Sequence, residues 1–199
     1  MDYNTKKQII ARASDAFARY GVKGTTMQFL AESLHISKRT LYAYFPDKYV
    51  LLTECVRLAC ASSLRTIRGR TASADGLEVL LRTVDSVYKL LTLSSPAFRG
   101  EFVRIRSVRT LFDEYYRIPL QQQVEEWALR ARNQGLISPE FDPQQLFTLF
   151  EGLLIAAVRE ASPAWGRRAF FDEVFRLCLA GICTERGREQ LNKRISNNR

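Results

Sequence analysis

Apolar residues recur at intervals of three to four along most of the chain, and this spacing predicts α-helices almost throughout. The first predicted helix covers residues 6–20 and ends at Gly21. It carries one apolar stripe, made of Ile9, Ala13, Ala16, Phe17 and Tyr20. No segment has the composition and alternation of a convincing β-strand. The pattern therefore predicts an all-α protein.

Two short helices and one long helix are predicted to follow. Thr25 and Gln28 have the spacing of a capping box at the start of the second helix, whose apolar positions are Met27, Leu30, Ala31 and Leu34. Ser37 is expected to cap a third helix that ends near Tyr44, and Asp47 a fourth that reaches about residue 69. We interpret residues 1–47 as a three-helix head and the fourth helix as a connecting rod.

The remainder of the chain is predicted to be a helical body. A small, polar segment at residues 69–76 separates it from the rod. Prolines and glycines divide it into predicted helices at residues 76–93, 96–107, 109–134, 143–160 and 167–184, and the polar residues 186–199 are expected to fray. With the rod, the body makes a second domain of residues 48–199.

Composition narrows the class of protein. Hydrophobic residues make up 46% of the 199 positions, which excludes a disordered chain, and the net charge of +9 favours polyanionic partners such as nucleic acid or anionic lipid. No apolar run is long enough to span a membrane, and no secretory signal is evident at the N-terminus. We expect a cytoplasmic protein without a membrane partner.

Metal, cofactor and catalytic chemistry have little basis in this sequence. Cys55, Cys60, Cys178 and Cys183 form no C-x-x-C pair, and His35 is the only histidine. We interpret the cysteines as small buried hydrophobes, with a redox sensor as the alternative. The sequence also has no Gly-rich phosphate loop and no nucleophile elbow, so we expect no cofactor and no enzyme activity.

The third predicted helix has the pattern of a DNA-recognition helix. Leu41 and Phe45 are one turn apart and are expected to face inward, which leaves its polar positions for solvent or DNA. Lys38 and Arg39 are suited to guanine O6 and N7, and the hydroxyls of Thr40, Tyr42 and Tyr44 to phosphates or base edges.

This region resembles the TetR family signature. The resemblance rests on Phe17 and Gly21, then Thr25-Thr26-Met27-Gln28, Leu30-Ala31, the run from Ile36 to Lys48, and Leu51-Leu52. It implies a helix-turn-helix head joined by a long helix to a ligand-binding and dimerisation body. It also implies a homodimer that binds a double-stranded DNA operator, usually as a repressor, and is released by a small molecule. The family's contact positions correspond here to Thr26, Gln28, Ser37, Lys38, Arg39, Thr40, Tyr42, Tyr44 and Lys48.

Two positions depart from the family pattern. His35 occupies a turn position that is usually glycine, so a left-handed backbone is expected there at some cost. Phe29 occupies a position that is commonly polar, where it either packs on the rod or stands exposed near the DNA.

The body carries an aromatic group that is either ordinary core or the lining of an apolar effector cavity. Its members are Phe98, Phe102, Phe112, Tyr115, Tyr116 and Trp127. The last two long predicted helices are apolar almost all round, which favours a four-helix interface with a second subunit over a fully internal core. The positions concerned are Leu146, Phe147, Leu149, Phe150, Leu153, Leu154, Ala157 and Val158, then Phe171, Val174, Phe175, Leu177, Cys178, Leu179 and Ile182, with Gly152, Ala156 and Gly181 allowing close approach.

The function these features predict is that of a ligand-responsive repressor that binds a palindromic operator as a dimer. The alternative from another class is a helical small-molecule binding protein or enzyme that keeps the helix-turn-helix as a structural unit. An activator, or a DNA-binding protein of low sequence preference, is the alternative within the same class.

Overall fold

The computed structural model describes residues 2–69, 74–92, 95–159 and 168–197. Within these ranges the chain forms eleven α-helices and one π-helical turn. They are α1 (Tyr3–Gly24), α2 (Met27–Ser33), α3 (Lys38–Tyr44), α4 (Lys48–Gly69), α5 (Gly76–Thr92), α6 (Pro96–Arg104), α7 (Arg106–Phe112), the π-helical turn (Asp113–Arg117), α8 (Ile118–Asn133), α9 (Pro143–Arg159), α10 (Arg168–Ile182) and α11 (Glu185–Asn197). The predicted all-α class is confirmed: extended pairing in the described ranges is limited to a single bridge between Ile137 and Cys183.

The helices belong to two compact units. One comprises Met1–Ser63 and Leu90–Arg117, and the other comprises Leu64–Lys89 and Ile118–Arg199. The boundary predicted after residue 47 separates a DNA-binding part from a ligand-binding and dimerisation part. This functional division stays a prediction.

The first unit is built on a single apolar core. Its buried members include Ile9, Ala13, Ala16, Phe17, Leu30, Ala31, Leu41, Phe45, Leu51, Leu52 and Val108. Burying each of the larger side chains contributes about 1.5–3 kcal/mol, so this core is the main force that holds α1, α2 and α3 together. The inward orientation predicted for Leu41 and Phe45 is confirmed, because both are almost completely buried.

The predicted stripe of α1 is correct except at its end. Tyr20 is 51% exposed and packs its ring edge against Phe29, with 5.7 Å between centroids. The helical backbone breaks at Gly21, as predicted, where φ is +78°, but a further turn carries α1 to Gly24. The break lets the chain turn towards α2 without a side chain in a left-handed conformation.

The aromatic region of the body has different boundaries from those predicted. The break expected between residues 107 and 109 lies instead at Ile105, whose φ and ψ of −95° and 108° are extended. Val108 is buried within α7 and joins the core of the first unit, which explains why the chain stays helical there. The π-helical turn then links α7 to α8, a feature that apolar spacing alone does not reveal.

The second unit packs α5, α8, α9, α10 and α11 around its own core. Buried residues from these helices include Leu77, Leu80, Val84, Leu120, Val124, Trp127, Leu146, Phe150, Phe175, Leu179 and Leu191. Helices α5 and α8 approach closely at Gly76, where a Cβ atom would lie 2.6 Å from the backbone nitrogen of Ala131. Glycine is therefore required at the start of α5.

The prediction that residues 186–199 fray is wrong for most of that segment, because α11 runs to Asn197. Leu191 is completely buried, and the guanidinium of Arg194 forms a two-pronged ion pair with the carboxylate of Asp75. Burial of Leu191 and the ion pair to distant Asp75 help to hold a helix whose overall composition is polar. Within the described ranges, no helix combines the length and apolar character needed to cross a membrane.

Candidate nucleic-acid interface

The turn between α2 and α3 has the geometry expected of a helix-turn-helix. His35 has a φ of +52°, which confirms the left-handed backbone expected at this position. The N–H groups of His35 and Ile36 donate to the carbonyls of Glu32 and Ala31, each at 3.1 Å, so the turn is closed by the end of α2. A left-handed non-glycine residue costs about 1–2 kcal/mol, which the core beneath the turn offsets.

Helix α3 is capped as predicted. The Ser37 hydroxyl accepts a hydrogen bond from the backbone N–H of Thr40 at 3.0 Å, and the two side-chain hydroxyls lie 2.8 Å apart. With Leu41 buried below, Lys38, Arg39 and Tyr42 are exposed on the opposite face, Tyr42 by 47%. The short helix therefore presents two cations and a phenol to solvent, and its buried Leu41 anchors the backbone that carries them.

A surface depression of about 410 Å³ lies beside α3. Five of the nine predicted DNA-contact residues line it, namely Thr26, Gln28, Lys38, Tyr42 and Lys48, together with Met27 and Asp47. Its lining includes cationic and hydroxyl groups. Both kinds of group can donate hydrogen bonds to phosphates and base edges. Sequence reasoning treated Asp47 only as the cap of α4. That role is confirmed, since its carboxylate accepts from the N–H groups of Tyr49 and Val50 at 2.6 and 2.9 Å.

Two of the predicted contact residues, Lys48 and Tyr44, bind distant backbone groups of the first unit. The ammonium of Lys48 donates to the carbonyls of Val22 and Thr25 at 2.8 and 3.1 Å. The phenol oxygen of Tyr44 accepts from the backbone N–H of Asp2 at 3.0 Å. Both side chains are half-buried, in contrast to Lys38 and Arg39.

The start of α2 corrects one sequence interpretation. The capping residue is Thr26, whose hydroxyl accepts from the N–H of Phe29 at 3.1 Å, and not Thr25. Thr25 is buried and donates its hydroxyl to the carbonyl of Gly21 at 2.8 Å, so it closes α1 instead. Thr26 is thereby left on the exposed surface, at the first turn of α2.

Phe29 is half-buried against the core of the first unit, so it does not stand exposed near the DNA. Its ring packs against Tyr20 of α1, and the guanidinium of Arg12 lies 5.4 Å from its centroid. Because Phe29 lies against Tyr20 of α1, the aromatic residue at this position has an apolar partner that the sequence pattern did not indicate.

The aromatic residues predicted for an effector site are distributed over both units. Phe98 packs against the core of the first unit, and the rings of Phe112 and Tyr116 lie 4.9 Å apart. Tyr115 is half-buried in the π-helical turn, whereas Trp127 is buried in the second unit. The side chain of Phe102 lies outside the described residues.

Tyr116 is the most deeply buried phenol of this group. Its hydroxyl lies 3.1 Å from that of Ser63, and burial raises its pKa above the ordinary value. The neutral phenol is therefore the stable form at physiological pH, available as a hydrogen-bond donor or acceptor but not as an anion.

A small apolar cavity of about 10 Å³ lies in the second unit, large enough for about one water molecule. Its lining consists of Leu80, Thr83, Val84, Val124, Leu146, Phe150 and Phe175. None of the six aromatic residues predicted for the effector site contributes to it. The sequence pattern placed Leu146, Phe150 and Phe175 on the predicted interface helices. It contained no feature that indicated a cavity among them.

The described cysteines are free thiols. Burial raises the pKa of Cys60 to about 12 and the pKa of Cys55 and Cys183 to about 11. Cys178 is less buried, and burial raises its pKa as well. Since the thiolate is the reactive form, these environments oppose reaction at the thiols at neutral pH. Among the described residues, no three His, Cys, Asp or Glu side chains are grouped so that they could hold a metal ion.

Residues 9–55 match the family of bacterial regulatory proteins described as the TetR family. YhgD of Bacillus subtilis strain 168, an uncharacterized HTH-type transcriptional regulator, is 35% identical over 54 residues, which cover 27% of this chain and 28% of that protein. The match to this relative therefore covers just over a quarter of the length of each protein.

Solved structures resemble the chain over most of its length. NemR from E. coli in its reduced form has a TM-score of 0.75 at 13% identity, with 92% of this chain and 98% of that chain covered. A TetR-family transcriptional regulator from Cytophaga hutchinsonii has a TM-score of 0.72 at 17% identity, with 92% and 96% covered. At these identities the likeness shows a shared fold.

Proposed function

We propose that this chain is a ligand-responsive transcriptional repressor that binds a palindromic DNA operator as a homodimer, because residues 9–55 match the TetR family of bacterial regulatory proteins. The observation that carries the proposal is the exposed polar face of α3 on a rigidly packed head. Ser37 caps this helix, Leu41 anchors it, and Arg39 and Tyr42 project outward.

In this proposal α3 enters the major groove. Lys38 and Arg39 donate to guanine O6 and N7, while the hydroxyls of Thr26, Thr40 and Tyr42 reach phosphates or base edges. Gln28, Ser37 and Tyr44 complete the face, and Lys48 contributes charge to its rim. The net charge of +9 adds a sequence-independent attraction to the duplex.

We assign dimerisation to α9 and α10, the last two long helices. Leu146, Phe150 and Phe175 are buried within the second unit, but Leu149 is 41% and Leu177 57% exposed. Exposed Gly152 and Gly181 lie one turn from these leucines and permit close backbone approach. The same helix pair from a second subunit would cover this apolar surface. Phe171, Leu154, Ala156, Ala157 and Val158 also belong to the predicted interface, but their side chains lie outside the described residues.

A dimer of this kind spaces two copies of α3 by about one DNA turn, roughly 34–36 Å. An unidentified small-molecule effector in the body would favour a different spacing and release the DNA, which requires only a few kcal/mol of differential affinity. We centre the effector proposal on Phe112, Tyr115 and Tyr116, because these aromatics lie together at the π-helical turn. For Phe98, Phe102 and Trp127, a part in effector binding stays a prediction from the sequence.

The experiment that tests this function is selection of duplexes from a random DNA pool by the purified protein at physiological salt. The proposal predicts enrichment of an inverted repeat with half-sites centred about 10 base pairs apart. Enrichment of a single unrepeated site would contradict the dimer. Failure to enrich any sequence would favour a helical small-molecule binding protein that keeps the head as a structural unit.

A further inference from the structure

Residues 21–25, which comprise the last turn of α1 after its break at Gly21 and the capping residue Thr25, are held by a carboxylate from a distant helix, and we call them the loop. Gly21 leaves the helical conformation with a φ of +78°, and the next two N–H groups, of Val22 and Lys23, point towards α6. Both donate to Glu101: Val22 to Oε2, and Lys23 to Oε1 at 2.9 Å. One carboxylate thus accepts from two consecutive backbone amides, an arrangement stronger than hydrogen bonds between neutral groups.

The opposite side of the same loop is held from α4. The ammonium of Lys48 donates to the carbonyls of Val22 and Thr25 at 2.8 and 3.1 Å. Thr25 is buried, and its hydroxyl closes the loop onto the carbonyl of Gly21. An anion therefore binds the amides of the loop while a cation binds its carbonyls.

The carboxylate of Glu101 is seated tightly against the loop. A Cβ atom on Gly21 would lie 2.9 Å from Oε2, so the absence of a side chain there makes room for the carboxylate as well as for the positive φ. A second bond fixes α6 in place, since the N–H of Ser95, its capping residue, donates to the carbonyl of Ala18 at 2.7 Å.

The loop leads directly into the candidate DNA face. Thr26 follows Thr25, caps α2 and lines the depression beside α3 with Gln28 and Lys48. The conformation of residues 21–25 therefore decides where α2 begins and where Thr26 and Gln28 stand.

We propose that Glu101 is a positioning residue for DNA binding, whose carboxylate holds residues 21–25 in the conformation that presents Thr26 and the first turn of α2 to DNA. The proposal rests on the proposed function. Glu101 lies 46 positions beyond the end of the segment, residues 9–55, that matches the TetR family, so it is not part of the recognised DNA-binding motif. It acts through the loop and has no contact with DNA itself.

Electrostatics and positioning predict opposite changes in DNA affinity when the carboxylate of Glu101 is removed. Removing a negative charge raises the net charge from +9 to +10, which by itself strengthens binding to a polyanion. If the carboxylate positions the loop, its loss lowers the fraction of molecules that are competent to bind. The apparent Kd then rises in inverse proportion to that fraction.

The test compares Glu101→Ala and Glu101→Gln with Glu114→Ala in anisotropy titrations of a duplex selected by the wild-type protein. Glu114 is exposed on the π-helical turn of the same unit and provides the same change in charge. We expect Glu101→Ala to weaken binding about tenfold. Glu101→Gln, which keeps one acceptor oxygen, should weaken it less, and Glu114→Ala should leave it unchanged or slightly tighter.

Hydrogen exchange at the amides of Val22 and Lys23 provides a second readout and does not depend on DNA. It should accelerate in both Glu101 variants and stay slow in Glu114→Ala. If Glu101→Ala does not fold, the DNA affinity and the exchange rates of Glu101→Gln test the proposal instead. Wild-type affinity and slow exchange in Glu101→Gln would overturn the proposal, as would tighter binding in both alanine variants. If the wild-type protein selects no duplex, the proposed function fails, whereas the exchange rates still show whether Glu101 holds the loop.

Discussion

The ammonium of Lys38 lies 2.9 Å from the side-chain oxygen of Gln28, joining the first turn of α3 to the first turn of α2. The amide nitrogen of Gln28 in turn donates to Glu32 at 2.9 Å. All three side chains are exposed, so this chain of contacts contributes little to stability in water. The contacts place two candidate DNA-contact groups side by side, where each can exchange its protein partner for a base or a phosphate.

The first prediction concerns the outward face of α3. Arg39→Ala should weaken binding to the selected duplex roughly 5- to 150-fold, since a bidentate contact with guanine contributes about 1–3 kcal/mol of discrimination. Tyr42→Ala should weaken binding less, because it removes a single hydroxyl contact. Anisotropy titrations on the selected and on a scrambled duplex measure both effects. Arg130→Ala, an exposed arginine of α8, is the matched control for charge. An equal loss in Arg39→Ala and Arg130→Ala would show that Arg39 contributes only net charge.

The second prediction concerns the cap of α3. Ser37→Ala removes the acceptor for the Thr40 amide and should lower the free energy of unfolding by about 1 kcal/mol. Ser37→Asn supplies a side-chain oxygen suited to the same role and should retain most of the stability. Denaturant unfolding followed by circular dichroism measures the difference. Equal stability of the alanine and asparagine variants would mean that the cap does not hold this helix.

The third prediction concerns the apolar surface of α9 and α10. Leu177→Glu and Leu149→Glu should convert the dimer to a monomer, because each places a charge where a second subunit is proposed to pack. The control is Leu129→Glu on α8, since Leu129 is 42% exposed and lies outside the proposed interface. Light scattering coupled to size-exclusion chromatography measures the mass of each species. A wild-type mass of 22.9 kDa at micromolar concentration would contradict the interface.

The fourth prediction concerns the thiols. Because burial raises the pKa of Cys60 to about 12, alkylation by iodoacetamide at this residue should stay negligible in the folded protein between pH 7 and 9. In denaturant, where the ordinary pKa of about 9 applies, the rate should rise steeply over the same range. Mass spectrometry of tryptic peptides measures both rates.

The raised pKa of Cys60 also predicts how the stability of the folded protein depends on pH. The folded state favours the neutral thiol of Cys60, so its contribution to stability is complete below about pH 9 and is lost as the pH rises towards 12. Rapid native alkylation of Cys60 at pH 7 would contradict the buried assignment and would favour the redox-sensor alternative.

Local features of the head could be predicted from the sequence because short-range chemistry determines them. Ser37 and Asp47 cap the helices expected of them, and Leu41 and Phe45 are buried as their spacing indicates. The left-handed backbone at His35 followed from its place in the motif. In each case the deciding interactions are within four residues or belong to a simple apolar period.

Features that depend on residues distant in the chain could not be predicted in the same way. Glu101 binds amides 78 and 79 positions earlier, and Arg194 binds a carboxylate 119 positions earlier. No local pattern distinguishes these side chains from solvent-exposed charges. The choice between Thr25 and Thr26 as the cap of α2 also depended on a tertiary contact, because burial of Thr25 leaves Thr26 as the available hydroxyl.

The central claim is that α3 gives this protein a sequence preference for DNA. Its most direct test is the ratio of Kd values for the selected duplex and a scrambled duplex of equal length, measured at one physiological salt concentration. The account predicts a preference of at least about 10³ for the wild-type protein, with most of it lost in Lys38→Ala/Arg39→Ala. A wild-type ratio below about ten, unchanged in the double variant, would contradict it.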